Sequence, residues 1–584
     1  MEYKSKNVGC QNCKKDFVIE PDDFSFYEKI GVPAPTWCPH CRFIRKLTFV
    51  NERSLYKRNC ENCKKSIISM YSSDSLIPTW CVKCHLSDNW DAFDYGRDYD
   101  FSEPFFEQFK KLKSVVPHRA LDQNERNGEG CEYANFCYTS KNIYLSFVSP
   151  SNENIKYSRC FFKHNKNCLD SLIIKANEKG YELVRSSQNY NSTFLVESDR
   201  CISSHFLYDC SNCNNCCISS SLRNKSYVFR NKQLTKEEYE NSITTLKLDT
   251  YSGQCEAKDK FTELAKKAIH KHAYIKNSVN VVGDFIENSK NIYHCYGLVD
   301  GENMKYVFFG VNTTKDSQDL VFTGKVEECY EFAIGGRGGS RVFYSFSCGG
   351  GSKNLFYSDQ CKGCSDCFGC AGLNKKQYCI LNKQYGKDEY FELVDRIKVH
   401  MNEMPYINKI GRKYLYGEYF PEEISPFAYN ETIAFEEHPI TKEEAILLGY
   451  KWKEPELKSY SSTVTTEDLL DSIHDVSDAI CDEVIKCPNK GDTKTQCLSA
   501  YRILRDELAF YRQMNLPLPR LCPNCRYYQR LKWKNPFRFY KRDCMCDLAG
   551  HEHDGKCMNE FETMYAPSRP EKIFCKQCYQ KEVY

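Results

Sequence analysis

A chain of 584 residues exceeds what one hydrophobic core supports and implies about three or four domains. Its 81 Lys and Arg against 78 Asp and Glu leave a net charge of +3, so whole-chain charge selects neither for nor against a polyanionic partner. With 41 Tyr and 36 Phe it has the means to bury large cores, which excludes global disorder.

The 36 cysteines set the class. Many come as CxxC pairs, the spacing of metal knuckles, and such close pairs make poor long-range staples. The first ten residues, Met1 to Cys10, hold no apolar signal stretch, and no run of about 18 apolar residues occurs anywhere. The expectation is a reduced, cytoplasmic protein without a membrane span.

Residues 1–100 read as a double metal module. Cys10/Cys13, Cys38/Cys41, Cys60/Cys63 and Cys81/Cys84 follow one another. Eight thiolates make two closed, tetrahedral zinc sites of the structural kind. Sequential pairing gives Cys10, Cys13, Cys38, Cys41 and Cys60, Cys63, Cys81, Cys84, two ribbon-like or treble-clef-like units; cross-braced pairing stays open. His40 and His85 lie beside ligands, but the four positions are already filled, so each reads as an outer or surface histidine. Arg42, Arg45 and Lys46, with Arg53, Lys57, Arg58 and the interleaved Phe43, Phe49 and Tyr56, form a basic aromatic stretch. Such stretches bind nucleic acid by pairing phosphates and stacking bases. The competing reading is charge balance of the zinc thiolates.

Residues 101–130 are a linker and a docking helix with Phe105, Phe106, Phe109 and Leu112 as its apolar stripe. A tandem repeat follows. Ser140–Tyr144 matches Ser289–Tyr293, and Glu153–Tyr157 matches Glu302–Tyr306, both at an offset of 149. Asn231-Lys232-Gln233 returns as Asn382-Lys383-Gln384 at 151. Copy 1 spans 131–250 and copy 2 spans 280–405, each with a closing helix, joined by a helical connector at 251–279. Thr235 and Glu238 make a capping box for the first closing helix. Short β-branched and aromatic runs recur about every twelve residues, separated by Asn, Ser, Lys, Asp or Gly. This predicts a β-solenoid-like repeat, with a pair of β-sandwiches as the alternative. The fold class is therefore mainly β with short helices, a tandem repeat flanked by two duplicated zinc modules.

Three features of the repeat invite chemistry. Cys210/Cys213/Cys216 and Cys361/Cys364/Cys367/Cys370 have iron–sulfur-like spacing. Ser219 stands where the second copy has Cys370, however, so inward packing is preferred over zinc and an iron–sulfur cluster is unlikely. Gly335–Gly339 lacks the helix that a phosphate loop needs, so turn glycines are the preferred reading. Asp316, Asp319, Glu327 and Glu328 would suit a carbohydrate-cleaving groove, although their spacing is also that of turn residues.

Residues 406–485 form a connector, with a helix from Thr441 to Gly449 and an acidic amphipathic helix over 465–485 carrying Leu469, Leu470, Ile473, Val476, Ile480 and Val484. Residues 486–584 repeat the first module. From Phe24 to Cys60 the offset is a constant 484, with 14 identities in 37 positions. The alignment selects Cys487, Cys497, Cys522 and Cys525 for one site and Cys544, Cys557, Cys575 and Cys578 for the other, giving about four zinc ions per chain. An insertion carries the spare donors Cys546, His551 and His553, read as a polar loop in preference to an exchange ligand. Arg526, Arg530, Lys532, Lys534 and Arg538, interleaved with Tyr527, Tyr528, Trp533, Phe537 and Phe539, give a denser basic aromatic stretch.

The phrases Leu516–Arg526, Asn559–Pro567, Tyr378–Tyr385 and Ser425–Thr432 resemble those of uncharacterised zinc-ribbon proteins of candidate-phylum bacteria. The resemblance spans most of the chain and implies a cytoplasmic, bacterial, zinc-binding protein; it implies no activity. The expected function is non-enzymatic nucleic-acid binding, of RNA or single strands, through the zinc modules. The alternatives are a protein-interaction scaffold with structural zinc, and an enzyme using the groove of the repeat.

Overall fold

The structure, a computed structural model, describes residues 3–123, 129–311, 314–335, 338–454 and 461–584. It is mainly β, with 32% strand and 23% helix, and the helices are short.

Two stacks of parallel strands form the middle. In the first, Ile143 pairs with Ile155, Ile155 with Cys168, Cys168 with Gly180 and Gly180 with Ser192. The ladder runs on to Ser226–Phe229. Each step is twelve residues, or thirteen where a corner is widened. The second stack runs from Val279–Glu287 to Gln377–Ile380 in the same way, except that Val279 pairs with Lys290 eleven residues on and the step becomes twelve at an irregularity between Val282 and Gly283. Each stack ends in a two-residue antiparallel return, Lys232–Gln233 or Lys383–Gln384, and a helix, Lys236–Thr245 or Lys387–Glu403. The Thr235–Glu238 capping box starts the first of these helices.

The backbone of a coil turns by a device that side-chain periodicity does not announce. From Tyr133 to Arg230 a non-glycine residue takes positive φ at about every third position, including Asn142, Leu145, Val148, Ser151 and Asn154. A twelve-residue coil thus has four left-handed corners, each normally costly for a side chain with Cβ. The corners leave inward N–H groups without a strand partner, and the interior side chains accept them. Asn152 Oδ1 accepts from Asn165 N at 2.8 Å, Asn165 from Asn177 at 3.1 Å and Asn177 from Asn189 at 3.0 Å. Ser146, Ser158 and Ser171 do the same along a second column, at 3.0, 2.9 and 3.3 Å. Buried polar groups are tolerable inside the coil because they are bonded.

The two stacks meet through Phe161, whose ring stacks on Phe309 at 3.8 Å. The predicted docking helix is Phe105–Lys113. Its phenylalanines pack on the second stack and the connector, Phe105 on Tyr357 and Phe368, and Phe109 on Phe420. In the connector, Lys442–Leu447 is helical behind the Thr441–Glu444 capping box.

The helix expected over 465–485 does not form. Only the 3-10 turns Ile473–Asp475 and Asp478–Asp482 occur there. Short polar side chains capture the backbone instead: Asp468 accepts from the Thr465 amide at 2.8 Å, and Ser472 Oγ from the His474 amide at 3.3 Å. Leu469, Ile473 and Val476 still reach the core, whereas Leu470 is exposed. Within the glycine run, Gly336 and Arg337 lie outside the described residues, and Gly339 begins the strand Gly339–Phe343.

Replacing Asn177 by Leu removes the acceptor of the Asn189 amide and the donor to Ser186 O. Leaving such groups bare costs about 1–3 kcal/mol each. Denaturant titration of N177L is expected to show a loss of at least that size.

Candidate metal centres

Each terminal module is built from hairpins whose ends carry cysteine pairs and from helices that begin at a cysteine. Lys6–Gly9 pairs with Asp16–Ile19, and Tyr56–Asn59 with Ser66–Ser69. Between the strands, Lys14 and Lys64 take φ of 62°, so that their amides bond back to the carbonyls of Cys10 and Cys60. The other half of each first site is a helix start. Cys38 caps Pro39–Leu47 and Cys522 caps Pro523–Leu531, with proline at the first helical position in both.

The structure brings together Cys10, Cys13, Cys38 and Cys41; Cys60, Cys63, Cys81 and Cys84; Cys487, Cys497, Cys522 and Cys525; and Cys544, Cys557, Cys575 and Cys578. Within each group the ligand atoms lie within 4.8 Å of one another. Four thiols so placed fit one tetrahedral ion. Amide donors point at the sulfurs. Cys38 N to Cys10 Sγ and Cys81 N to Cys60 Sγ are 3.2 Å, as is Cys575 N to Cys544 Sγ. Asn12 and Asn489 donate to Cys41 and Cys525 at 3.2 and 3.1 Å. Burial opposes ionisation of Cys60, but the amides of Cys81, Cys63 and Asn62 outweigh it and bring its thiol down to about 7. His40 and His85 stand outside the thiol groups and pack on His438 and Trp90.

The cations after each knuckle point inward. Arg42 donates to Asp319 Oδ2 at 3.0 and 2.8 Å, and Lys46 Nζ lies 3.4 Å from Asp319 Oδ1. Arg45 donates to both oxygens of Glu331 at 2.9 Å and to Glu418 at 3.2 Å. In the C-terminal module, Arg526 Nε lies 3.0 Å from Asp170, and Arg530 Nη1 reaches Asp170 at 2.9 Å and Glu182 at 3.2 Å. Lys534 is buried against Glu437. Six of the eight tentative nucleic-acid contacts, Arg42, Arg45, Lys46, Arg526, Arg530 and Lys534, are thus under 8% exposed and bonded to carboxylates. They are not a phosphate-binding face. Lys532 and Arg538 are exposed. On sequence alone these cations go to nucleic acid, with zinc thiolates as the competing partner; their actual partners lie about 90 to 360 residues away, where spacing carries no signal.

The pairs obey the duplications. Arg42 and Arg526 are 484 apart, and their partners Asp319 and Asp170 are 149 apart; Glu331 and Glu182 are also 149 apart. Each module sits on the copy remote from it in the chain. Asp22 and Asp506 repeat the scheme with Lys305 and Lys156, both at 2.6 Å.

The remaining candidates also find places. Asp319 is consumed by Arg42, and Lys29 lies 3.7 Å from Asp316 and 3.0 Å from Glu328. The cysteines of the stacks occupy the interior columns that serine fills elsewhere, and donate as serine does. Cys364 Sγ lies 3.5 Å from Lys362 O and 3.4 Å from Leu373 O; Ser186 Oγ lies 2.9 Å from Val184 O and 3.2 Å from Leu195 O. The spare donors are not the polar loop expected: Cys546, His551 and His553 converge on Cys578. The insertion folds inward because Gly550 and Gly555, at φ of 83° and 66°, let it turn sharply. No helix of the described residues is long and apolar enough to cross a membrane.

No family model matches the chain, and no curated protein matches it. Among solved structures, one similar chain is described as an acetyltransferase from Desulfovibrio desulfuricans G20, at 9% identity and a TM-score of 0.10 over 45% of this chain and 69% of that one. A TM-score of this size carries no argument about fold or activity.

Asp319→Asn leaves Arg42 and Lys46 buried with a neutral partner. Breaking such pairs costs about 3–5 kcal/mol, and replacing Arg42 and Lys46 by Met together with Asp319→Leu should recover most of it. Equilibrium unfolding of the two variants checks this. His118 and His270 supply a pH dependence, since burial lowers each from the ordinary 6.5 to about 4. Their imidazoles stay neutral in the fold while the unfolded chain takes up protons below 6.5. Stability is therefore full above that pH and falls as pH drops toward 4. The slope over this window should be smaller in His118→Gln and His270→Gln than in the parent.

Proposed function

We propose that this protein is a non-enzymatic, zinc-stabilised interaction scaffold. The two stacks of parallel coils serve as a solenoid spine, and the terminal modules serve as zinc-ribbon-like clamps that close over it. The observation that supports this reading best is the inward turn of the cations: Arg42, Arg45, Lys46, Arg526 and Arg530 are spent on Asp319, Glu331, Glu418, Asp170 and Glu182. All-thiol donor sets and amide-to-sulfur bonds favour zinc with a structural role. The likeness of Leu516–Arg526 and Asn559–Pro567 to zinc-ribbon proteins agrees with it. A spine of two stacks with capped ends offers broad regular faces to protein partners.

A second reading keeps the anionic partner but moves its site. Lys532 lines a cleft of about 680 Å³ together with Lys258, Lys266, Arg520 and Trp533; Glu182, Glu197, Asp259 and the Arg569–Glu571 pair line it too. Cations around an indole ring suit a single strand.

Titration of the full chain with short single-stranded RNA and DNA at low and moderate salt separates the two. The scaffold reading expects binding no tighter than about 10⁻⁴ M, the weak end of non-specific association. Tight, salt-sensitive binding that is lost in a Lys258→Glu, Lys532→Glu variant would replace it with the second reading.

A further inference from the structure

The geometry points to a fifth metal site fused to the fourth: Cys546, His551 and His553 hold a second divalent ion beside the Cys544, Cys557, Cys575, Cys578 site, and the Cys578 thiolate bridges the two ions. This rests on the reading of the all-cysteine groups as zinc sites.

Three observations carry it. First, Cys578 belongs to both sets, and within each set the ligand atoms lie within 4.8 Å of one another. Two thiolates and two imidazoles are a full tetrahedral complement for zinc.

Second, each histidine is held in the tautomer that a ligand requires. His551 Nε2 lies 2.8 Å from Glu582 Oε1, while Nδ1 faces Cys546 Sγ at 3.5 Å. The Nε2–H donates to the carboxylate and leaves the Nδ1 lone pair for a metal. His553 Nδ1 lies 2.8 Å from Gly555 O, which can only accept. Its proton is therefore on Nδ1, and the Nε2 lone pair faces Cys578 Sγ at 3.4 Å. A carboxylate and a carbonyl behind the imidazoles are the outer partners that metal-bound histidines use.

Third, the donors are drawn inward although they come from an insertion: the cysteines are buried and both histidines are half-buried. Cys546 is fully buried, and the His551 side chain is 3% exposed. In the N-terminal module only Glu61 and Asn62 separate Cys60 from Cys63, and no such donors exist. The bridge also eases the charge. Five thiolates around two dications leave a formal −1, whereas four around one leave −2.

Native mass spectrometry of the full chain purified from zinc-supplemented culture tests the site. Five zinc ions per chain are expected, and four in the His551→Ala, His553→Ala double variant, which keeps every thiol of the fourth site. Four ions in both proteins would overturn the fifth site and leave the zinc reading intact. Fewer than four in both would sink the zinc reading, and this inference with it. NMR of the cadmium-loaded protein tests the bridge. A nitrogen-ligated cadmium resonance should couple through sulfur to an all-sulfur resonance, and both coupling and resonance should vanish in the double variant. An uncoupled nitrogen-ligated resonance would refute the shared thiolate.

Discussion

The arrangement depends on two carboxylates buried inside the docking faces of the coils, Asp319 and Asp170. Each receives two cations from a helix that begins at a cysteine, Arg42 and Lys46 on one side, Arg526 and Arg530 on the other. All six side chains are nearly free of solvent. Desolvating such groups cancels most of the attraction, so the pairs do not make the fold stable in themselves. They make it particular. Any other seating of a module would strand a charge in a medium that cannot solvate it.

The helix that presents these cations is short, and short helices are marginal alone. Its start is tied by cysteine and proline, and Phe43 at its middle packs on Phe308 and Phe537, where both modules and the second stack meet. Thiols, helix and guanidinium act in series: the thiol cluster fixes the first turn, the first turn aims Arg42, and Arg42 finds Asp319. The coil answers with a rigid partner, because the asparagine and serine columns lock its corners in place.

Much of this was legible. An offset of 484, changing to 494 after Cys544, identified the thiols that belong together at the C-terminus, with Cys487 substituting where Lys494 stands opposite Cys10, and the offset of 149 marked the two stacks. Spacing of β-branched and aromatic runs indicated mainly β structure of twelve-residue period. Other features left no trace. A left-handed corner can be occupied by Phe194, Ile218 or Val148, residues that in isolation avoid it. An arginine beside a clustered cysteine looks the same whether it faces a phosphate or an aspartate 277 residues away. The stretch 465–485 has helical periodicity, but Thr465, Asp468 and Ser472 bind their own backbone and defeat it. Cys546, His551 and His553 were visible as donors, and only their convergence on Cys578 separates a site from a loop.

The crossed seating also imposes an order on biosynthesis. Arg42 leaves the ribosome 277 residues before Asp319. At about 5–20 residues per second this is a wait of roughly 14–55 seconds. Throughout it the first module can gather its own thiols but has nowhere to dock, and its helix shows guanidinium and aromatic groups to solvent. The last module meets no such delay, because Asp170 is already in place when Arg526 emerges. The two halves are thus near copies in sequence and opposites in time: one end of the molecule must be kept in waiting, and the other arrives to close a surface that is ready for it.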